Sequence, residues 1–411
     1  MLMMMKRFFG AIFHQGKIIG FNDLVVGVVI FLACYNYSAP KKPETFARHE
    51  VFVRVRLSVG QQGVRVKSAQ GLVIVTEGVQ RQVSDKGFVV LDQDDSRVAV
   101  RIGAAKNALD LWRRSKDTIV ISSSGLLDVQ GRRYRGEIRA FIIPDTGMVV
   151  VNRLTLEQYL YGVVPAEIGP IKPETFEAVK AQAVAARSFT LTRLTRRRGL
   201  GYELYDSYLR DQEYQGADRE VVLGNKAVDE TKGEALIYND EVAMALYHGN
   251  CGGVTADGSE PYLKSVFDTP GNRPGAEPFC ALSSNFSWRC TVSQDSIERL
   301  LMKLKGGKIK PRVRGFSLEK DRGAKRVKKI RFQTDQGEIV VDGSEFRFAL
   351  GLKSTFFQMK LHARRFNFEG RGWGHGVGLC QDGAIEMARK GYHYRQILNH
   401  YYPALRIKKL Y

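Results

Sequence analysis

Between positions 370 and 378 glycine stands at every second residue, in Gly370-Arg-Gly-Trp-Gly-His-Gly-Val-Gly378. Glycine tolerates positive φ and lets the backbone lie close against another surface. The spacing is not the GxGxxG of a dinucleotide-binding turn, and no strand-then-helix nucleotide unit surrounds it. Trp373 and His375, two large side chains with polar tips, stand between the glycines. Two readings follow. One is a tight turn from strand into helix with a packed tryptophan; the other is one wall of a binding cleft, where exposed backbone meets a ligand.

The chain has 411 residues, enough for two or three domains with a sizeable core. Lysine and arginine (63) exceed aspartate and glutamate (43), giving a formal charge of +20. That surplus suits a polyanionic partner: a nucleic acid, an anionic lipid surface or an acidic wall polymer. No zinc-finger spacing, RNP aromatics or leucine heptads accompany it, so no nucleic acid is expected. Lys6, Arg7 and Lys17 precede the apolar run Leu24–Cys34, so residues 1–40 read as an export signal or a membrane anchor. The run falls short of the roughly 20 residues of a spanning helix, and Phe31-Leu-Ala-Cys34 leaves lipidation open as well. The expected location is the cell envelope or periplasm, with the N-terminal segment as the contact with the cytoplasmic membrane.

Residues 48–130 read as a small β-rich domain. Val51-Phe-Val-Arg-Val-Arg-Leu57 alternates apolar and basic side chains as a half-buried strand does, and 71–76, 87–91, 98–102 and 118–122 are further strands. Within residues 51–130 no histidine, cysteine or specially placed carboxylate marks this part for chemistry. A hairpin over 135–143 and 148–151 leads into residues 131–411. Pro165, Gly169, Pro170 and Pro173 predict a rigid corner around Glu167. A helix then starts at Pro173-Glu174 and runs to about 198, slimmed by Ala178, Ala181, Ala183, Ala185 and Ala186. Lys180 and Arg187 are seven residues apart and share one face of it. They are either exposed cations of an ordinary amphipathic helix or groups facing a cleft. Helices over 218–232, 293–305, 379–390 and 394–402, and strands over 313–318, 328–334, 338–341 and 357–368, complete an α+β pattern of mixed or antiparallel sheets with packed helices.

Three ordered blocks carry a resemblance. They are Leu156-Glu-Gln-Tyr-Leu-Tyr-Gly-Val-Val-Pro-Ala-Glu-Ile168 with Ala178-Val-Lys-Ala-Gln-Ala-Val-Ala-Ala-Arg-Ser-Phe189, then Tyr247-His-Gly-Asn-Cys-Gly-Gly-Val-Thr255, then Gly372-Trp-Gly-His-Gly-Val-Gly-Leu-Cys-Gln-Asp-Gly-Ala384 with Gly391–Pro403. Over about 131–411 the chain resembles the SpoIID/LytB family. Family members such as SpoIID are lytic transglycosylases that cut peptidoglycan glycan strands, and others, like LytB, enhance a cell-wall amidase. The resemblance implies a SpoIID-like catalytic region in which Glu167 is the single acid/base. It would protonate the bridge oxygen, then deprotonate an internal sugar hydroxyl, leaving a 1,6-anhydro end. Lys180, Arg187, Ser188, Tyr247, His248, Gly252, Gly253, Trp373, His375 and Gln381 are the expected substrate-binding residues, since the cations flank the Glu167 corner and aromatic and glycine surfaces suit sugar faces.

A general acid near neutral pH needs a raised pKa, and nearby cations lower one. Either Glu167 sits in an apolar corner with Tyr161, Val163, Val164 and Ile168, or Lys180 and Arg187 bind anionic groups of the substrate; the second is the expectation. For an exported chain a Cys251–Cys280 disulfide is expected. A zinc site of His248, Cys251, Cys280 and Cys290 and free thiols are the alternatives, and otherwise no cofactor is expected. Some members of the family hold zinc, but their ligands do not map onto these positions. The competing functional reading is a non-catalytic wall-binding partner that recruits a cell-wall amidase.

Overall fold

In the N-terminal part of the chain, valine and isoleucine alternate with polar residues, and the result is two sheets that bury their inner faces together. The computed structural model describes residues 50–104, 109–197, 199–307, 310–321 and 323–411; the expected export or anchor segment, 1–40, lies outside them. The first sheet has the strand order 204–205, 52–56, 147–155, 137–143, 119–122, 72–76, 79–83, and the second 132–134, 127–129, 64–67, 87–94, 97–104, 110–115. Val53, Val55, Ile119 and Ile121 from the first sheet and Val64, Val66, Val89 and Val100 from the second are fully buried in one apolar cluster. Burying such side chains is worth about 1.5–3 kcal/mol each.

The division expected at residue 130 cuts through this packing. Strand 137–143 pairs with 119–122 on one side and with 147–155 on the other, and 147–155 pairs with 52–56. The same apolar cluster continues into the helices that follow.

Seven helices order the described remainder of the chain: α1 (Leu156–Ile168), α2 (Phe176–Arg196), α3 (Val222–Glu230), α4 (Gln294–Leu304), α5 (Gly343–Leu350), α6 (Gln381–Arg389) and α7 (Tyr394–Tyr401). Thr155 and Gln158 cap α1 reciprocally. Pro165 lies inside α1, so the expected corner is a helix, and Glu167 sits in its last turn. The kink that proline brings to a helix interior falls in the final turn, where few backbone bonds are lost. Helix α2 is the centre of the molecule. Its alanines are buried, and it packs against α1, α3, α6 and α7.

A second apolar cluster lies between residues 288 and 368. Strands 313–320, 327–334 and 337–342 form one antiparallel sheet, and 287–293, 365–371 and 357–362 form another. Phe332, Phe346, Phe357, Phe366 and Phe368 fill the space they share with α4 and α5. The single strand expected over 357–368 is a hairpin. Ala363 and Arg364 both take positive φ at its turn. These residue types rarely adopt that conformation, so the sequence carried no turn signal there.

Strand 365–371 delivers the chain into the glycine ribbon, and the ribbon ends at α6. It runs against residues 247–256. Asn250 bridges Trp373, Ala256 bridges Val377, and Tyr247–His248 pairs in parallel with Leu379–Cys380.

Candidate functional site

Glu167 is half-buried at the C-terminal end of α1. Its Oε1 accepts the backbone N–H of Glu213 at 2.8 Å. Burial pushes its carboxyl up to about 7 from an ordinary 4.5, and the nearby Glu213 carboxylate adds to the rise. The Glu213 N–H, the Gln381 amide and the Tyr247 hydroxyl pull the other way. The negative end of the helix dipole also disfavours a second negative charge here. None of its main influences is a lysine or arginine.

Tyr247 and Gln381 join Glu167 to the ribbon. The Tyr247 hydroxyl accepts the Gln212 amide at 2.8 Å, and Gln381 opens α6 at the ribbon's far end, its amide 3.4 Å from Gln182 Oε1. His375 Nε2 donates to the Tyr247 carbonyl at 2.9 Å, and its Nδ1 accepts the Val377 N–H at 3.1 Å. Both ring nitrogens are therefore spent on the protein's own backbone. His375 is a staple between ribbon and strand, not a base or a metal ligand. Its ring remains exposed. Trp373 is 50% exposed, with Lys353 Nζ 5.6 Å above its ring. The tryptophan is thus not packed into the turn. It stands out from the ribbon as a flat apolar face.

Several expected substrate-binding residues are structural instead. Arg187 is fully buried. Its Nε and Nη2 hold the Glu157 carboxylate at 3.0 and 2.6 Å, and it also donates to the Glu234 and Val228 carbonyls. Ser188, also fully buried, donates to the Val184 carbonyl and accepts the Leu236 N–H. Lys180 is paired with Glu177 and Glu230 and lies 5.1 Å from the Phe176 and Tyr394 rings. Helical periodicity put Lys180 and Arg187 on one face, but that face meets acidic residues of the protein itself. The choice between apolar corner and substrate-binding cations therefore falls on the corner. His248 is buried, its Nδ1 3.1 Å from the Val377 carbonyl, and burial holds its pKa well below the ordinary value. Gly252 is buried with φ 76°, against Arg371, so it shapes a turn, whereas Gly253 (φ 103°) is partly open.

Gln212, Glu213 and Gln182 were not expected here. The polar and aromatic run Asp211-Gln-Glu-Tyr214 was the available signal, but it gave no spacing that pointed at Glu167. A separate hollow of about 910 Å³ lies on the second lobe, lined by Trp288, Arg289, Lys320, Lys325 and Arg371 among others.

The cysteine expectations change as well. Cys251, Cys280, Cys290 and Cys380 are all free, and Cys251 Sγ lies 3.6 Å from Cys280 Sγ, so the expected disulfide is not formed. Cys290 is on strand 287–293, paired with Phe368, away from Cys251. Asp268 and Cys380, not Cys290 and His248, share the space with Cys251 and Cys280.

Residues 144–238 match the family model described as Stage II sporulation protein, SpoIID. Residues 281–378, the second lobe, match a domain of unknown function, DUF8618. An uncharacterized protein of Brachyspira hyodysenteriae is 29% identical over 313 residues, covering 74% of this chain and 78% of that one. Stage II sporulation protein D of Bacillus subtilis is 28% identical over 289 residues, 63% of this chain and 76% of the relative. The Amidase enhancer of Bacillus subtilis is 28% identical over 328 residues, 69% of this chain but 45% of its own length. Residues 144–238 thus carry a SpoIID-type segment, and the longer chain is similar to proteins named Stage II sporulation protein D and Amidase enhancer.

Proposed function

We propose that the chain is an exported lytic transglycosylase that cuts the MurNAc–GlcNAc bond of peptidoglycan glycan strands with Glu167 as its single acid/base. One observation carries this reading: burial at the end of α1 pushes the half-buried Glu167 carboxyl up to about 7, and none of the main influences on it is a cation. Such a group is protonated often enough at neutral pH to donate, and ionised often enough to accept.

In the first half of the reaction, Glu167 gives its proton to the bridge oxygen as the bond from the anomeric carbon breaks. In the second half, the Glu167 carboxylate takes the proton of the muramyl C6 hydroxyl as that oxygen bonds to the anomeric carbon. The net proton moves from one sugar oxygen to the other, and no water enters. The Gln381 amide and the Tyr247 hydroxyl steady the carboxylate between the two steps. Trp373 offers its face to a sugar ring. Arg289, Lys320, Lys325 and Arg371, around the second-lobe hollow, suit the carboxylates of stem peptides, the task that Lys180 and Arg187 are too engaged to perform.

The second reading, a wall-bound partner of a cell-wall amidase, is favoured by the relative named Amidase enhancer. Mass spectrometry of purified glycan strands after incubation separates the two. Anhydro ends from wild type but not from Glu167→Gln support catalysis. No anhydro ends from either protein, with amidase activity stimulated equally by both, supports the partner.

A further inference from the structure

Three side chains of the 251–280 segment and one from the end of the ribbon converge beneath it. Cys251 precedes the Gly252–Gly253 turn, Asp268 follows in the next loop, Cys280 lies in a short helical turn over Phe279–Leu282, and Cys380 closes the ribbon at the mouth of α6. All are buried, and one ligand atom from each lies within 4.8 Å of every other. With metal–sulfur bonds of about 2.3 Å, two thiolates at adjacent corners of a tetrahedron stand about 3.8 Å apart. Cys251 and Cys280 stand at 3.6 Å.

The surroundings point to thiolates and a metal more than to thiols. The Cys251 N–H is directed at Cys380 Sγ at 3.2 Å, and the Gly253 N–H at Cys251 Sγ at 3.3 Å. Neutral sulfur is a weak acceptor, whereas thiolate sulfur takes such bonds well. Asp268 is oriented as a ligand would be: Oδ2 accepts the Cys280 N–H at 2.9 Å and Oδ1 the Tyr401 hydroxyl at 2.5 Å. Only a glycine at 383 leaves room for that pair, because a Cβ there would collide with both.

Arg326 supplies an independent observation. It is 3% exposed and donates Nη2 to the Cys251 carbonyl at 2.8 Å, while its Nε and Nη1 have no hydrogen-bond partner among the described residues. The Asp321 carboxylate offsets part of its charge, but a buried guanidinium with two unpartnered nitrogens is still costly. A divalent ion held by three thiolates and a carboxylate carries two net negative charges, which would offset it.

We propose that Cys251, Cys280, Cys380 and Asp268 form a closed, four-coordinate structural zinc site that clamps the glycine ribbon and the mouth of α6 to the 251–280 segment. Zinc suits a thiolate-rich tetrahedral set with no open position. On loading, the three thiols release their protons to solvent. The site is separate from the glycan-cleaving chemistry and stands or falls without it.

The test is the metal content of the full chain, purified without chelator, together with thiol counting after denaturation and the visible spectrum of the cobalt-substituted protein. The expected result is equimolar zinc that Cys290→Ser retains and Cys380→Ser loses, with a tetrahedral thiolate spectrum for cobalt. Tyr401→Phe removes only the hydroxyl that orients Asp268. It folds without a change of ligand and should weaken zinc about 10–100-fold in chelator competition. Zinc-free protein with a Cys251–Cys280 disulfide recovered by peptide mapping would overturn the proposal. So would zinc held as tightly by Tyr401→Phe and Cys380→Ser as by wild type.

Discussion

At the scale of single residues, Glu167 decides the account. Its folded pKa of about 7 lies above its ordinary 4.5, so between those values the folded state holds more protons than the unfolded one. Stability must therefore fall as pH rises through that window. The cost of the ionised carboxylate is absent below the lower value and fully present above the upper one, at roughly 1–3 kcal/mol. Glu167→Gln keeps an acceptor for the Glu213 N–H and carries no charge. Melting curves should show it more stable than wild type at alkaline pH and equal to it below the window. Arg187 is the opposite case. Arg187→Ala leaves Glu157 buried and charged beside Tyr411, which should cost about 3–5 kcal/mol in denaturant unfolding. Glycan affinity of the remaining folded protein should not change. Glu167 could be found from the sequence because its block matches a family pattern. The role of Arg187 could not, because periodicity fixes which residues share a face and says nothing of what that face meets.

At the scale of elements, the ribbon is held by close backbone approach. Gly378 has φ 73°, and a Cβ there would collide with the Leu246 carbonyl. Gly378→Ala should cost about 1–3 kcal/mol in thermal unfolding, since the strain has no flexible neighbour to absorb it. Trp373→Ala should barely move the melting temperature, because the ring is half exposed. It should weaken binding to insoluble peptidoglycan in sedimentation assays, and equal binding would remove the ring from the groove. Alternate glycines announced the ribbon, and an alanine run announced α2. The turn at Ala363-Arg364 stayed hidden because it uses residues that only tertiary pairing forces into positive φ. The helix around Glu167 stayed hidden because Pro165, Gly169, Pro170 and Pro173, four breakers within nine residues, read as a break.

At the scale of the whole molecule, the described chain has two large apolar clusters. One runs from Val53 through α2 to Tyr402, and the other fills the lobe between 288 and 368. The strand pattern and the reach of the resemblance suggested a boundary near 130, but hydrophobic alternation cannot tell which strands pair, and strands from both sides of that residue share one sheet. The lobe that does have its own cluster lies much later in the chain. Phe332 is fully buried there, and Phe332→Ala should lower the stability of that lobe by about 3–5 kcal/mol. Hydrogen exchange should quicken over 313–342 and stay unchanged in strands 52–56 and 147–155. At the edge of the first cluster the Tyr411 hydroxyl reaches Glu157 at 2.7 Å. The acid-bearing α1 is thus braced by the last residue.

The central claim is that a single glutamate suffices because the attacking oxygen belongs to the substrate. Digestion of glycan strands in heavy-oxygen water, read by mass spectrometry, tests it most directly. New ends should carry no heavy oxygen and be lighter by one water than a hydrolytic product. Heavy oxygen in the new reducing ends would mean that water attacks, and would contradict it.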